Sequence, residues 1–566
     1  MRPIALPLLA ALLLTAAGRS VLAQCQTAKL HASTAQQGDE FGWSVAISGD
    51  TAIVGCPLDD QAATQAGAAF IYERTSGGWV EVQKLFAGDA AASDNFGTAV
   101  AIRGDTAAVT APEKFLGNMA QVGAAYIFVR TPNGWKESAK ILPNDPSWWG
   151  GFGTSVALWG DDRLVVGKYM DGQVAAYSGA AYVFERQGTS WIQAAKLKAS
   201  DAKEADTFGQ SVSIEGDVAL IGAAFVDVAG VKDAGAAYVF EFGPSGWVET
   251  QKLTASDGWI GDRFGWSVAV SGTTVFVGAA NCDVGAMNTG AAYVFSREPS
   301  GWMEKQKLTS SHPGPSDFFG FSVAVEGELA IVGAETDGPI NAGAAYAFSR
   351  SGATWALIGK LVAKKGSQSD LMGRSVGVSG MTAIVSAHHD DDVCPSWIGC
   401  NSGAAYVFEL APTAVQYGSC ASGAPCGNAD DHGGCANSTG EGAILAACGS
   451  GSVATDDLAF ELTHLPPLAF GLVYMGPAQT KVPFGDGLRC VNPGALGFFR
   501  FPVNQADGSG SFVLGPGLAA ASASLPPGGQ IQPGSTWNFQ CWYRDPNGPC
   551  GSGFNLSNAI SVFFAP

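Results

Sequence analysis

The sequence predicts an all-β chain: a seven-bladed β-propeller closed by an N-terminal strand, followed by a small disulfide-containing β-sandwich. Three observations carry this. A phrase typified by "FGWSVAISGDTAIVG" recurs seven times at spacings of 53 to 56 residues. Each repeat holds four short alternating runs bounded by Gly, Asp and Pro, and nothing beyond the first 23 residues sustains a helical period. The first three runs occur seven times and the fourth only six.

The first two strands come from the opening phrase, which begins at Phe41, Phe96, Phe152, Phe208, Phe264, Phe319 and Met372. The third comes from "GAAYVF" and its variants, at Gly67, Gly123, Gly179, Gly235, Gly290, Gly343 and Gly403. The fourth is Trp followed by "QKL" or a variant, from Trp79 to Trp355. Four antiparallel strands in seven units is the sequence form of a propeller. The seventh unit lacks its fourth strand, and "QTAKL", with Lys29 and Leu30 in register, stands before Phe41. A ring closed by that strand explains the count, whereas a linear solenoid would need atypical caps at both ends. The recurring Phe fills the wedge between blades, and the following Gly lets backbones approach.

"FGWSVAISG" with "AIVGCP" (Phe41-Gly42, Gly55-Cys56-Pro57) resembles the FG-GAP repeat over residues 25 to 410. That repeat is the blade unit of the propeller at the head of integrin α chains and of many secreted bacterial proteins. The resemblance implies an extracellular adhesion or ligand-binding propeller. It also implies calcium loops of the form Asp-x-Asp-x-Asp-Gly between the first two strands. Here that link is only "SGDT", "RGDT", "WGDD", "EGDV", "SGTT", "EGEL" or "SGMT". Such tight turns are too short to wrap an ion that needs six to eight oxygens, so the expectation is no cofactor, with calcium left open as the alternative although its usual loops are absent.

Residues 1–23 read as a signal peptide: Arg2, the apolar "PLLAALLLTAA", and "VLA" ending at Ala23. Gln24 is a poor fit to a lipid-attachment motif at Cys25. No later stretch is long and apolar enough to span a bilayer. Export makes disulfides the default for the 12 cysteines, and short spacings suggest Cys394 with Cys400 and Cys541 with Cys550. A net charge of −19 argues against a nucleic-acid partner and favours cations or basic surfaces.

Links from strand two to three, and from strand four to the next blade, emerge on one face. The first set holds Asp59, Asp60, Asp171, Asp227, Asp233, Asp283, Asp337 and Asp390 to Asp392. The second holds Asp39, Asp94, Asp206, Asp262, Asp317 and Asp370, each two residues before the blade's Phe or Met; blade 3 has Gly150 there. Their fixed register suggests turn capping, and together they predict a negative, ligand-binding face. Trp148, Trp149, Trp259 and Trp397 fall in the same loops and offer rings for sugars.

"AHHDDD" offers His388, His389, Asp390 and Asp392 as metal ligands, against a solvated acidic loop. "CASGAPCGNADDHGGC", with His432, could bind zinc, but export favours disulfides. Arg103-Gly104-Asp105 spells an adhesion tripeptide, yet Gly49-Asp50, Gly160-Asp161 and Gly216-Asp217 occupy the same place, so turn chemistry accounts for two of its three residues. "GRSVG" matches a nucleophile elbow, but Ser375 aligns with Ser44, Ser155, Ser211, Ser267 and Ser322 and reads as a strand residue.

The domains are therefore a signal peptide (1–23), the propeller (24–410), a Cys/Gly-rich junction (411–440) and a C-terminal β-sandwich (441–566). The last shows alternating aromatic runs such as "TWNFQCWYRD" and resembles loosely a C-terminal module of secreted bacterial proteins. The expected function is a secreted or cell-surface binding or adhesion protein with a protein or glycan ligand, acting as a monomer. The alternatives are a structural envelope component and the accessory propeller of an extracellular carbohydrate- or lipid-active enzyme. No catalytic constellation stands out.

Overall fold

The computed structural model describes residues 25–75, 77–310, 313–338, 340–363, 366–392, 399–410, 414–420, 423–430, 433–449 and 451–565. The predicted signal peptide, Cys394, Trp397 and His432 lie outside the described residues. The chain divides into two compact units, from Gln24 to Ala411 and from Pro412 onward.

The first unit is seven four-stranded antiparallel sheets. Blade 1 runs Ser44–Ser48, Thr51–Cys56, Ala68–Thr75 and Gly78–Leu85, paired in that order. The first strands of neighbouring blades touch one another, so they surround the axis. The second strand is buried at every residue in blades 1 and 2, because neighbouring sheets cover both its faces. The fourth alternates, since one of its faces meets solvent. In the seventh sheet Met372–Ser379, Thr382–Ala387 and Ala404–Glu409 are followed outward by Cys25–Leu30, with Lys29 opposite Tyr406 and Leu30 opposite Ala405.

Blades are joined through the repeat's own residues. The Gly before each "AAY" strand forms a parallel bridge to the Phe (or Met) that opens the next blade: Gly67 to Phe96, Gly123 to Phe152, and so on to Gly343 and Met372. A seventh bridge, Gly403 to Phe41, joins the last blade to the first. Phe96 is fully buried and meets the edges of Tyr126 and Phe128 at centroid distances of 5.5 and 6.0 Å. The repeat's Ser is a second tie. Ser44 donates to the carbonyl of Gly97 in the next blade at 2.9 Å, and Ser155, Ser211, Ser267 and Ser322 do the same. Ser375 accepts the amide of Val45 instead, at 3.1 Å, which gives the serine of "GRSVG" a structural role.

The second unit contains a six-stranded sheet, a three-stranded sheet and a hairpin. The first two meet through Phe460 and Phe539, 4.6 Å apart. The expected junction is not separate from it: Ala414–Gly418 pairs with Phe554–Phe563 inside the six-stranded sheet. Among the bridges of the described residues are Cys420–Cys435 and Cys426–Cys550, and Cys448 is disulfide-bonded too. The expected pairing of Cys541 with Cys550 is thus corrected. Cys541 is a buried free thiol inside the strand Thr536–Arg544, while Cys550 lies in the loop beyond, which carries it to Cys426. Cys400 is disulfide-bonded.

Two outcomes test this architecture. Gly67 has φ +81°, and a Cβ there would collide with the backbone of Phe96. Gly67→Ala is expected to cost more than about 2 kcal/mol. Gly49→Ala, at a turn with open space around it, is expected to cost about 1 kcal/mol; chemical denaturation compares the two. Deleting residues 25–30 bares the Ala404–Glu409 edge and is expected to produce association visible by size-exclusion chromatography.

Candidate functional site

The loops between strands two and three and those leading into the next blade share one end of the propeller. They are laced together by backbone bonds, such as Ser93 N–H to the Thr64 carbonyl, Trp149 to Ala120, and Gly261 to Lys232. Most of the acidic residues expected to form a negative face turn inward: the six that precede the blade's Phe or Met are buried, and so are four in the loops after strand two.

Asp59, Asp171, Asp337 and Asp390 are buried. Each accepts a hydrogen bond from the Lys of a "KL" strand: Lys84 at 2.5 Å, Lys196 at 2.8 Å, Lys360 at 2.8 Å and Lys29 at 2.8 Å. That Lys stands directly opposite the third-strand Tyr, or Phe70 in blade 1. The Tyr hydroxyl usually binds the same carboxylate, as Tyr406 does to Asp390 at 2.7 Å. In blades 2, 4 and 5 the residue at the Asp59 position is Lys114, Val226 or Cys282. There the carboxylate comes from the incoming link: Asp89 to Lys140, Asp201 to Lys252 and Asp257 to Lys307, all at 2.6 Å. Burial opposes ionisation of Asp89, but bonds from Lys140 and Tyr126 prevail and hold its pKa down near 2.

The exposed acids are satisfied within their own loops. Asp60 accepts the amide of Gln65, Asp227 that of Asp233, Asp283 that of Asn288, and Asp391 those of Gly399 and Asn401. The carboxylates before each FG are caps, as their register suggests. Asp39, Asp94, Asp206, Asp262, Asp317 and Asp370 each accept the amide three residues upstream.

The four suggested metal ligands do not converge. Lys29 takes Asp390 and also Asp392, at 2.5 Å. His388 is buried against Trp43, and its ring lies against that of His389, centroids 4.2 Å apart and tilted by 48°. Burial first, then the Arg374 guanidinium, push the pKa of His388 down to about 2, so it is neutral. Among the described residues, only Asp39, Cys56 and Asp59 bring three such ligand atoms together. Lys84 already sits on Asp59, and the Cys56 thiol donates to the Asp39 carbonyl.

Solvent meets a different surface. Trp148, Trp149, Tyr177, Trp259 and Met287 project from these loops, Trp259 with 67% of its area exposed. Nearer the axis, the residues following FG form a partial aromatic ring: Trp266 beside Phe321 at 5.5 Å, and Arg374 over Trp43 at 3.7 Å. Composition favoured the acids, but the signal for the aromatics was already in the links. On the opposite end, Arg103 caps the Trp159 ring at 5.1 Å and reaches Glu326 at 3.6 Å, while Asp105 pairs with Arg130 at 3.0 Å. The tripeptide is held by its own propeller.

Asp370 gives a pH test. Burial chiefly, then nearby Asp390, raises its pKa from 3.8 to about 7. Ionisation in the fold is therefore unfavourable. The folded state holds a proton that the unfolded chain releases above 3.8, so stability falls as pH rises towards 7. Asp370→Asn keeps an acceptor for Ser367 and is expected to raise the melting temperature at about pH 8 far more than at about pH 4, by calorimetry.

No helix among the described residues is long and apolar enough to cross a membrane. No curated protein matches the chain. The FG-GAP repeat family matches at residues 25–72, 79–128, 135–184, 191–240, 247–295, 302–348 and 355–408, one match for each blade period. With its seven sheets and the Phe–Gly bridges between them, the chain belongs to the FG-GAP repeat family.

Proposed function

We propose that this chain is a secreted or cell-surface binding protein of the adhesion type. It presents the loop-bearing end of its propeller to an extracellular protein or glycan. The single observation behind this reading is the set of solvent-facing rings at Trp148, Trp149, Trp259 and Tyr177, mounted on loops tied to one another by backbone bonds. Rigid aromatic faces bind with little loss of conformational entropy, and flat rings suit sugar faces and protein hot spots alike. FG-GAP repeats build integrin-like binding propellers, and disulfides fit an extracellular setting. The acids contribute less than the charge suggests, because cations and backbone amides of the chain already engage them.

Glycan-array and pull-down profiling of the purified chain identifies the ligand class. A Trp148→Ala/Trp149→Ala variant, and separately Trp259→Ala, are expected to weaken retention by about tenfold or more, while Arg103→Ala at the other end leaves it unchanged. Binding that survives the tryptophan changes and fails with Arg103→Ala would reverse the assignment of the face. No retained ligand, with firm fractionation into the envelope, would favour the structural role instead.

A further inference from the structure

The second unit buries two carboxylates that have only neutral partners. Asp486 and Asp545 are each 0% exposed. Asp486 lies in the turn between Ala478–Phe484 and Gly487–Asn492; Asp545 follows the strand Thr536–Arg544 directly. Asp486 accepts the backbone amides of Ser552 at 2.9 Å and Cys550 at 3.3 Å, and the Ser552 hydroxyl. Asp545 accepts the amide of Ser438 at 3.0 Å through Oδ2. Its Oδ1 is buried and has no partner.

The two side chains face a common point. A Cβ on Gly548 would strike Oδ2 of both Asp486 and Asp545. The φ of Gly548 lies outside the left-handed region, so space and not backbone conformation demands the missing side chain. The surrounding loop is fixed: Cys550 is bridged to Cys426, and the Asn428 amide donates to the Asp486 carbonyl at 2.9 Å. Two buried charges of one sign at such range are costly unless a cation lies with them. In the propeller Asp59, Asp171, Asp337 and Asp390, buried in the loops after strand two, each have a Lys as that cation. Here the chain supplies none among the described residues.

We propose that Asp486 and Asp545 form a calcium site that fastens the 545–552 loop to the turn at Asp486. The donors are hard oxygens with neither thiolate nor imidazole, which suits calcium over zinc or copper. Water and loop oxygens would complete the shell. The site is independent of the ligand-binding reading of the propeller and of that family's calcium loops.

Calcium titration of the full chain, stripped with EDTA, tests this by calorimetry alongside thermal unfolding with and without the ion. The wild-type chain is expected to bind calcium and to melt higher in its presence. Asp545→Asn and Gly548→Ala should each remove one equivalent, or weaken it by more than about tenfold, and abolish that thermal shift. Gly548→Ala retains both carboxylates, so its loss of binding assigns the ion to the space between them. It also keeps the test open if Asp545→Asn fails to fold. A wild-type chain with neither heat nor thermal shift overturns the proposal, as does unchanged stoichiometry and affinity in Gly548→Ala.

Discussion

The propeller depends on one short contact, the parallel bridge between the Gly that ends a loop and the Phe that opens the next blade. It sits where the backbones of two sheets come closest, and it can form only if neither side carries a Cβ into the gap. Gly67 against Phe96 and Gly97 against the Ala68 carbonyl are the two halves of one seam. The Phe ring then fills the space that widens outward from the seam. Once Gly is required on both sides and Phe between, the phrase "FG" and the "G" of "GAAY" must keep step, and the repeat period follows. The Ser bond to the next blade's Gly carbonyl reinforces the same seam.

A second constraint is charge. Each "KL" lysine is tucked beside an aromatic ring of the third strand, as Lys196 is over Tyr182 at 5.1 Å. A partly buried ammonium needs a counter-ion. The chain supplies it from either of two loops, the one after strand two or the one entering the blade. Blade 3 has both, Asp171 and Asp145, and it also has an extra buried cation, Lys168, 3.1 Å from Asp171. The Lys168 side chain fills the place of the cap that Gly150 lacks, since a Cβ on Gly150 would meet its Cε. The balance of charge is thus local to each blade, and most of the acidic register is structural.

This frees the loop-bearing end for apolar contact. Its carboxylates are engaged as counter-ions or caps, and the backbone lacing between loops holds their tips in place. Trp148, Trp149 and Trp259 stand out from that frame because nothing in the repeat requires them. They occur in two links only and follow no seven-fold rule. Residues outside the repeat's logic are where one blade can differ from another, and a ligand would be read there.

The blade count, the strand order within a blade and the seams were legible in the sequence, because each rests on residues that recur at fixed intervals and interact over short range. The turn role of Gly104-Asp105 and the capping role of Asp370 were legible for the same reason. The direction of Asp59 and Asp171 was not: an acidic loop reads as solvated until the Lys across the sheet is seen beneath it. Nor was the partner of Cys550, because Cys426 lies 124 residues away and only the folded loops bring them together. The pairing of Asp486 with Asp545 across Gly548 was hidden likewise. The sequence by itself determined what is periodic and local in this protein. Which charges are buried, which cysteines bond and which rings face water were decided by tertiary structure, because burial and long-range approach depend on neighbours that no local pattern specifies.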